Sequence, residues 1–78
     1  MQNLLGRAIK HNRQRTGMSA AALSRAIGKS SSYVAKVESG SIDPSVQAFA
    51  RIAVVLKFTS VEIAWLVRAS AMEQEEDK

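Results

Sequence analysis

Cysteine is absent from the 78-residue chain, so neither a disulfide nor a thiolate metal site can staple it. That absence fits a reducing compartment. The single histidine, His11, has no second ligand near it in the sequence, which leaves no basis for a metal site. There is one proline, Pro44, and aromatic residues are few, so a core has to come from aliphatic side chains. No apolar run approaches the roughly 20 residues needed to span a bilayer, and the first residues lack the apolar stretch of a signal peptide. Charge of one sign is also missing where it matters: residues 1–37 contain no Asp or Glu.

That same segment holds seven Lys or Arg: Arg7, Lys10, Arg13, Arg15, Arg25, Lys29 and Lys36. Residues 38–78 hold all seven acids and four bases, so the two parts carry about +7 and −3 within a net charge of +4. A basic half of this kind fits a polyanion such as a phosphate backbone. At 46% apolar content the chain is an ordinary globular one, and its length allows one domain with one small core.

The periodicity predicts five helices. The first covers 3–15, with Leu5 and Ile9 inward and Arg7, Lys10 and Arg15 outward, and ends at Gly17. The second covers 20–27, capped by Ser19, with Leu23 and Ile27 as its stripe and Gly28 as its stop. The third covers 31–38, capped by Ser30, with Val34 and Val37 inward, and closes at Gly40. The fourth covers 45–56, with Asp43 as its cap, Pro44 at its first position, and Val46, Phe49, Ala50, Ala53 and Leu56 at 3–4 spacing. The fifth covers 60–71 and opens on a Thr59–Glu62 capping box. These make one domain over residues 1–71, and residues 72–78 read as an acidic, flexible tail. A short, half-polar third helix held to the second by a glycine turn has the dimensions of a major-groove reader.

The run Leu5-Gly6-Arg7, Arg13, Gly17-Met18-Ser19, Leu23, Ile27-Gly28, Ser30 to Val34, Val37-Glu38, Gly40, Pro44-Ser45, Ile52-Ala53, Leu56 and Thr59 resembles the lambda-repressor-like helix-turn-helix domain of the Cro, phage-repressor or xenobiotic-response-element type. The resemblance covers residues 4–66 and implies an all-α, five-helix DNA-binding domain with its helix-turn-helix at helices 2 and 3. This sequence departs from the family pattern at three positions. Ala20 stands where a glutamine is common, Ser24 where alanine is usual, and Lys29 where an inward apolar residue is usual.

Carried over by position, the resemblance implies that Ser31, Ser32 and Lys36 face base edges; lysine can donate to guanine O6 and N7. Phosphate contacts fall to Arg7, Lys10, Arg25 and Lys29, and to the loop Ser39-Gly40-Ser41 with its backbone N–H groups. Tyr33 either gives its hydroxyl to a phosphate or packs its ring against the second helix. Arg13 and Glu38 are implied as a structural ion pair. Relatives pair through the C-terminal helix, which implies a homodimer interface of Val61, Trp65, Arg68 and Met72; the alternative is that Trp65 closes the core.

A catalytic reading would need a nucleophile beside a base, or two carboxylates in a cleft. His11 is alone and the carboxylates cluster in the tail, so neither an enzyme nor a cofactor is expected. The resemblance implies a transcriptional regulator, a repressor acting on a palindromic DNA operator, in the cytoplasm of a prokaryote or encoded by a phage. The alternative is an antitoxin with a toxin partner, or a protein-interaction module of the same fold.

Overall fold

The computed structural model describes residues 4–76, with side chains for 4–68. Five helices follow one another: α1 (Leu4–Arg15), α2 (Ala20–Ala26), α3 (Tyr33–Ser39), α4 (Val46–Leu56) and α5 (Ser60–Glu76). The described residues contain no strand. The aliphatic stripes of α1 to α4 meet in one cluster of Ile9, Leu23, Ile27, Val34, Val37, Ile52 and Leu56. Burial of each such side chain contributes about 1.5–3 kcal/mol. Leu66 of α5 is buried as well, and α5 packs against α1.

Four helices end in the same way. Within two residues of the ends of α1, α2, α3 and α4 one residue takes a left-handed backbone, at Gly17, Gly28, Gly40 and Lys57. Its N–H and that of the next residue turn back onto the last carbonyls: Met18 N to Arg13 O, Lys29 N to Ser24 O, Ser41 N to Lys36 O and Phe58 N to Ala53 O, all at 2.9–3.2 Å. This is the Schellman arrangement, which favours glycine at the left-handed position. Lys57, at φ 59°, is the residue that breaks the rule, and its side chain is exposed. Lys57→Gly is therefore expected to stabilise the domain by about 0.5–1 kcal/mol, the left-handed penalty of a side chain less the extra unfolded-state freedom of glycine. Thermal melting checks this.

The start signals differ in part from the sequence expectation. Ser19 caps α2 through Ala22 N at 3.0 Å. The cap of α4 is Ser45, whose hydroxyl accepts from Ala48 N at 3.1 Å, so Asp43 is not the cap and Pro44 lies before the helix. Ser45 holds the extended backbone of an N-cap, at ψ 162°. On α4 the buried residues are Ala48, Ile52, Ala53 and Leu56; Val46 and Ala50, expected inward, are exposed. Helix α5 runs on to Glu76, so the expected tail from residue 72 is helical for most of its length. No helix among the described residues is long and apolar enough to cross a membrane.

The start of α5 is the expected reciprocal box: Thr59 N donates to Glu62 Oε1 at 2.9 Å and Glu62 N donates to Thr59 Oγ1 at 3.1 Å. The bond from the Thr59 backbone holds the Glu62 carboxyl below its ordinary pKa, with the Thr59 hydroxyl and the nearby Arg15 charge acting in the same direction. A carboxyl depressed on folding stabilises the native state above its unfolded pKa, and that contribution is lost as pH falls through the folded value. Acidification below the usual carboxylate range should thus loosen the first turn of α5, and Glu62→Gln should flatten this part of the acid melting curve. Amide exchange at Thr59 measured against pH reports it directly.

Candidate nucleic-acid interface

Helix α3 is short and has two faces. Val34, Val37 and Glu38 are buried against α1 and α2, while Ala35, Lys36 and Ser39 are exposed. Ser30, Ser31 and Ser32 are exposed in the turn that precedes it. The helix starts at Tyr33, later than the expected residue 31, and Ser30 does not cap it: its carbonyl, not its hydroxyl, accepts from Tyr33 N at 3.0 Å. The acceptor that the helix start needs comes from Ser24, whose Oγ lies 2.9 Å from Val34 N. Ser24 is fully buried in a position where an alanine was the family expectation.

Glu38 is the single acid in residues 1–42, and the fold removes it from the surface. Arg13 grips it as a fork, Nε to Oε2 at 2.7 Å and Nη2 to Oε1 at 3.1 Å. The third guanidinium arm, Nη1, donates to Met18 O at 2.8 Å in the turn between α1 and α2. The Glu38 hydrogen bond is the main reason that the Arg13 pKa is raised. One arginine thus joins α1, the turn before α2 and the end of α3. The remaining basic residues of the first half, Arg7, Lys10, Arg15, Arg25, Lys29 and Lys36, are all exposed. The exterior of α1 to α3 therefore carries cations, of which Arg15 has the Glu62 carboxylate of α5 near it.

Lys29 and Tyr33 form a local unit. The Lys29 ammonium lies 5.3 Å from the centroid of the Tyr33 ring, and the ring packs against the core cluster. The ring is half-buried, and the exposed Lys29 uses it as a platform. The loop after α3 is less available than its sequence suggests. The N–H groups of Gly40, Ser41 and Ile42 all point back to carbonyls of α3, so they are not free donors. The Ser39 hydroxyl donates to Lys36 O at 3.0 Å and lies 2.9 Å from the Ser41 hydroxyl. With its one proton placed on Lys36 O, Ser39 accepts from Ser41, and either group must exchange a bond before it can donate to an anion.

A protein-family description, Helix-turn-helix domain, matches residues 4–66, most of the chain. The chain belongs to the helix-turn-helix domain family. The five-helix, all-α architecture is consistent with its lambda-repressor-like type, and the family relation points to DNA binding by this helix-turn-helix protein. No curated protein and no solved structure matches the chain.

Two supports of this helix-turn-helix were not legible in the sequence. One is Ser24. The other is Arg51 on α4, whose Nη1 donates to Ile27 O at 3.2 Å and so closes the carbonyl end of α2. Sequence offers no signal for Arg51, because the bond spans 24 positions between separate helices. Away from this face, Val61, Trp65 and Arg68 of α5 are exposed, Trp65 by 57%. Trp65 does not close the core; Leu66 takes that position. Met72 lies beyond the residues whose side chains are described. His11 is exposed on α1, and among the described residues no His, Asp and Glu cluster is placed to hold a metal ion.

Proposed function

We propose that this helix-turn-helix protein is a sequence-specific transcriptional repressor that binds a palindromic double-stranded DNA operator as a homodimer. The observation that carries the reading is the electrostatic one. The single acid of residues 1–42 is turned inward onto Arg13, and six cations remain exposed around a polar, groove-sized helix. Such a surface draws in a phosphate backbone. In this reading Ser31, Ser32 and Lys36 read base edges. Arg7, Lys10, Arg25 and Lys29 hold phosphates, with the Tyr33 hydroxyl beside Lys29, and Ser39 and Ser41 join by exchanging their mutual bond. Val61, Trp65, Arg68 and Met72 make the two-fold contact, which sets two copies of α3 about 34 Å apart.

Salt dependence tests it. Titration of duplex DNA by fluorescence anisotropy should show log K falling with log salt, each phosphate-bound cation contributing about −0.9 to the slope. Four such cations in each of two protomers predict a slope near −7 on a full operator, from the same relation. Lys29→Ala should make that slope shallower by about 0.9 per protomer and weaken all duplexes alike. A flat response overturns the proposal.

A further inference from the structure

A helix begins with N–H groups that have no intrahelical acceptor, and the usual remedy is a hydroxyl on the N-cap residue itself. Two helices of this protein follow that rule. Ser19 and Ser45 accept from the amides three residues on, and both hold an extended backbone, at ψ 158° and 162°. Helix α3 does not. Its N-cap Ser32 sits at φ −94°, ψ −2°, and makes no side-chain cap bond. The amide of Val34 donates instead to Ser24 Oγ at 2.9 Å, ten residues earlier and on the neighbouring helix. The Ser24 hydroxyl in turn donates to Ala20 O at 2.8 Å. Its side chain is fully buried, with its proton and one lone pair engaged.

We propose that Ser24 is a positioning residue for DNA reading: by capping α3 from α2, it frees the hydroxyl of Ser32 for a base edge and holds the first turn of α3 at a set pitch. The inference rests on the DNA-binding reading above. A serine hydroxyl has one proton. A Ser32 that capped its own helix would swing to the extended backbone of Ser19 and Ser45 and turn its hydroxyl onto Val34 N or Ala35 N, the second and third amides of the helix. With Ser24 in place, Ser32 keeps the helical turn conformation and stays exposed. Loss of the Ser24 hydroxyl calls on the N-cap residue itself, Ser32, as substitute acceptor, and that use withdraws its hydroxyl from the groove. The two serines are therefore coupled although no bond joins them.

The test uses the full chain, a duplex selected from a randomised pool by repeated rounds of binding to the native protein, and a scrambled duplex of the same length. Ser32→Ala should leave the melting temperature unchanged and weaken the selected duplex about ten-fold, the cost of one base contact. Ser24→Ala should lower the melting temperature and weaken the selected duplex by a similar factor, with less than about a two-fold change on the scrambled one. Ser32→Ala added to Ser24→Ala should cost no further affinity. A purely structural Ser24 would give multiplying losses, or equal losses on both duplexes, and either result overturns the proposal. If Ser24→Ala fails to fold, exchange of the Val34 amide in Ser32→Ala decides: continued protection supports the cross-helix cap, and rapid exchange with a lowered melting temperature overturns it. Absence of salt-dependent binding by the native protein would count against the DNA reading instead, and the Val34 amide would still report the cap.

Discussion

Glu38→Ala is expected to lower the stability of the domain by about 3–5 kcal/mol, the loss typical when one partner of a buried ion pair is removed. Both side chains are close to nine-tenths buried, with 12% of Arg13 and 8% of Glu38 exposed. Removal of Glu38 leaves Nε and Nη2 of Arg13 without acceptors inside the fold, while Nη1 stays tied to Met18 O. A domain of this size has only about 5–10 kcal/mol in total, so the variant should be substantially unfolded near 37 °C. With about 4–8 °C per kcal/mol, the melting temperature should fall by about 15 °C or more. Arg13→Met paired with Glu38→Met should recover most of the loss, because apolar replacement of both partners removes the unpaired charge. Thermal denaturation of the single and double variants measures this. If Glu38→Ala melts within a few degrees of the native protein, the pair is not a structural tie.

Trp65→Lys is expected to act on assembly instead of folding. Trp65 is 57% exposed, with exposed Val61 one turn before it and Arg68 one turn after. The core beside it is closed by Leu66, so the substitution should shift the melting temperature of the isolated protomer by only a few degrees. A proposed dimer that uses this ring at its centre loses its largest apolar contact and gains two facing ammonium groups. Sedimentation should then report a monomer. Two half-sites bound in one step act as a bivalent ligand, worth 10²–10⁴ in affinity, so operator binding should weaken at least about 100-fold. Binding to a single half-site should be unchanged, since α3 is on a different part of the fold. A Trp65→Lys protein that remains dimeric and binds the full operator normally would remove α5 from the interface.

Much of this architecture is local chemistry and could be read along the chain. The 3–4 spacing within the pairs Leu5 and Ile9, Leu23 and Ile27, Val34 and Val37, and Ala53 and Leu56 marks helices because a helix presents every third or fourth residue to one side. Gly17, Gly28 and Gly40 mark ends because a left-handed backbone suits glycine. Ser19 and the Thr59–Glu62 pair mark starts because their oxygens reach amides only two or three residues away. The end of α4 at Leu56 was legible too, but not the left-handed backbone of Lys57, since no residue type announces a left-handed lysine. Val46 and Ala50 read as core because apolar spacing alone does not say which side of α4 meets the rest of the protein; burial of Ala48 and Ile52 settled that.

The candidate DNA face divides along the same line. The sequence by itself determined five helices, a helix-turn-helix at the second and third, and a stretch of residues 1–37 without acids. Those follow from periodicity, from local hydrogen-bonding reach and from counting charges. Tertiary structure alone decided how that stretch is finished. It moved the start of α3 to Tyr33, brought the Ser24 hydroxyl to Val34 N and laid Arg51 on the end of α2. It also left Trp65 outside the core. The physical reason is one of distance. A cap or stripe within a helix joins residues three or four apart, whereas these features join groups from separate helices, and such pairs exist only once the core has brought the helices together.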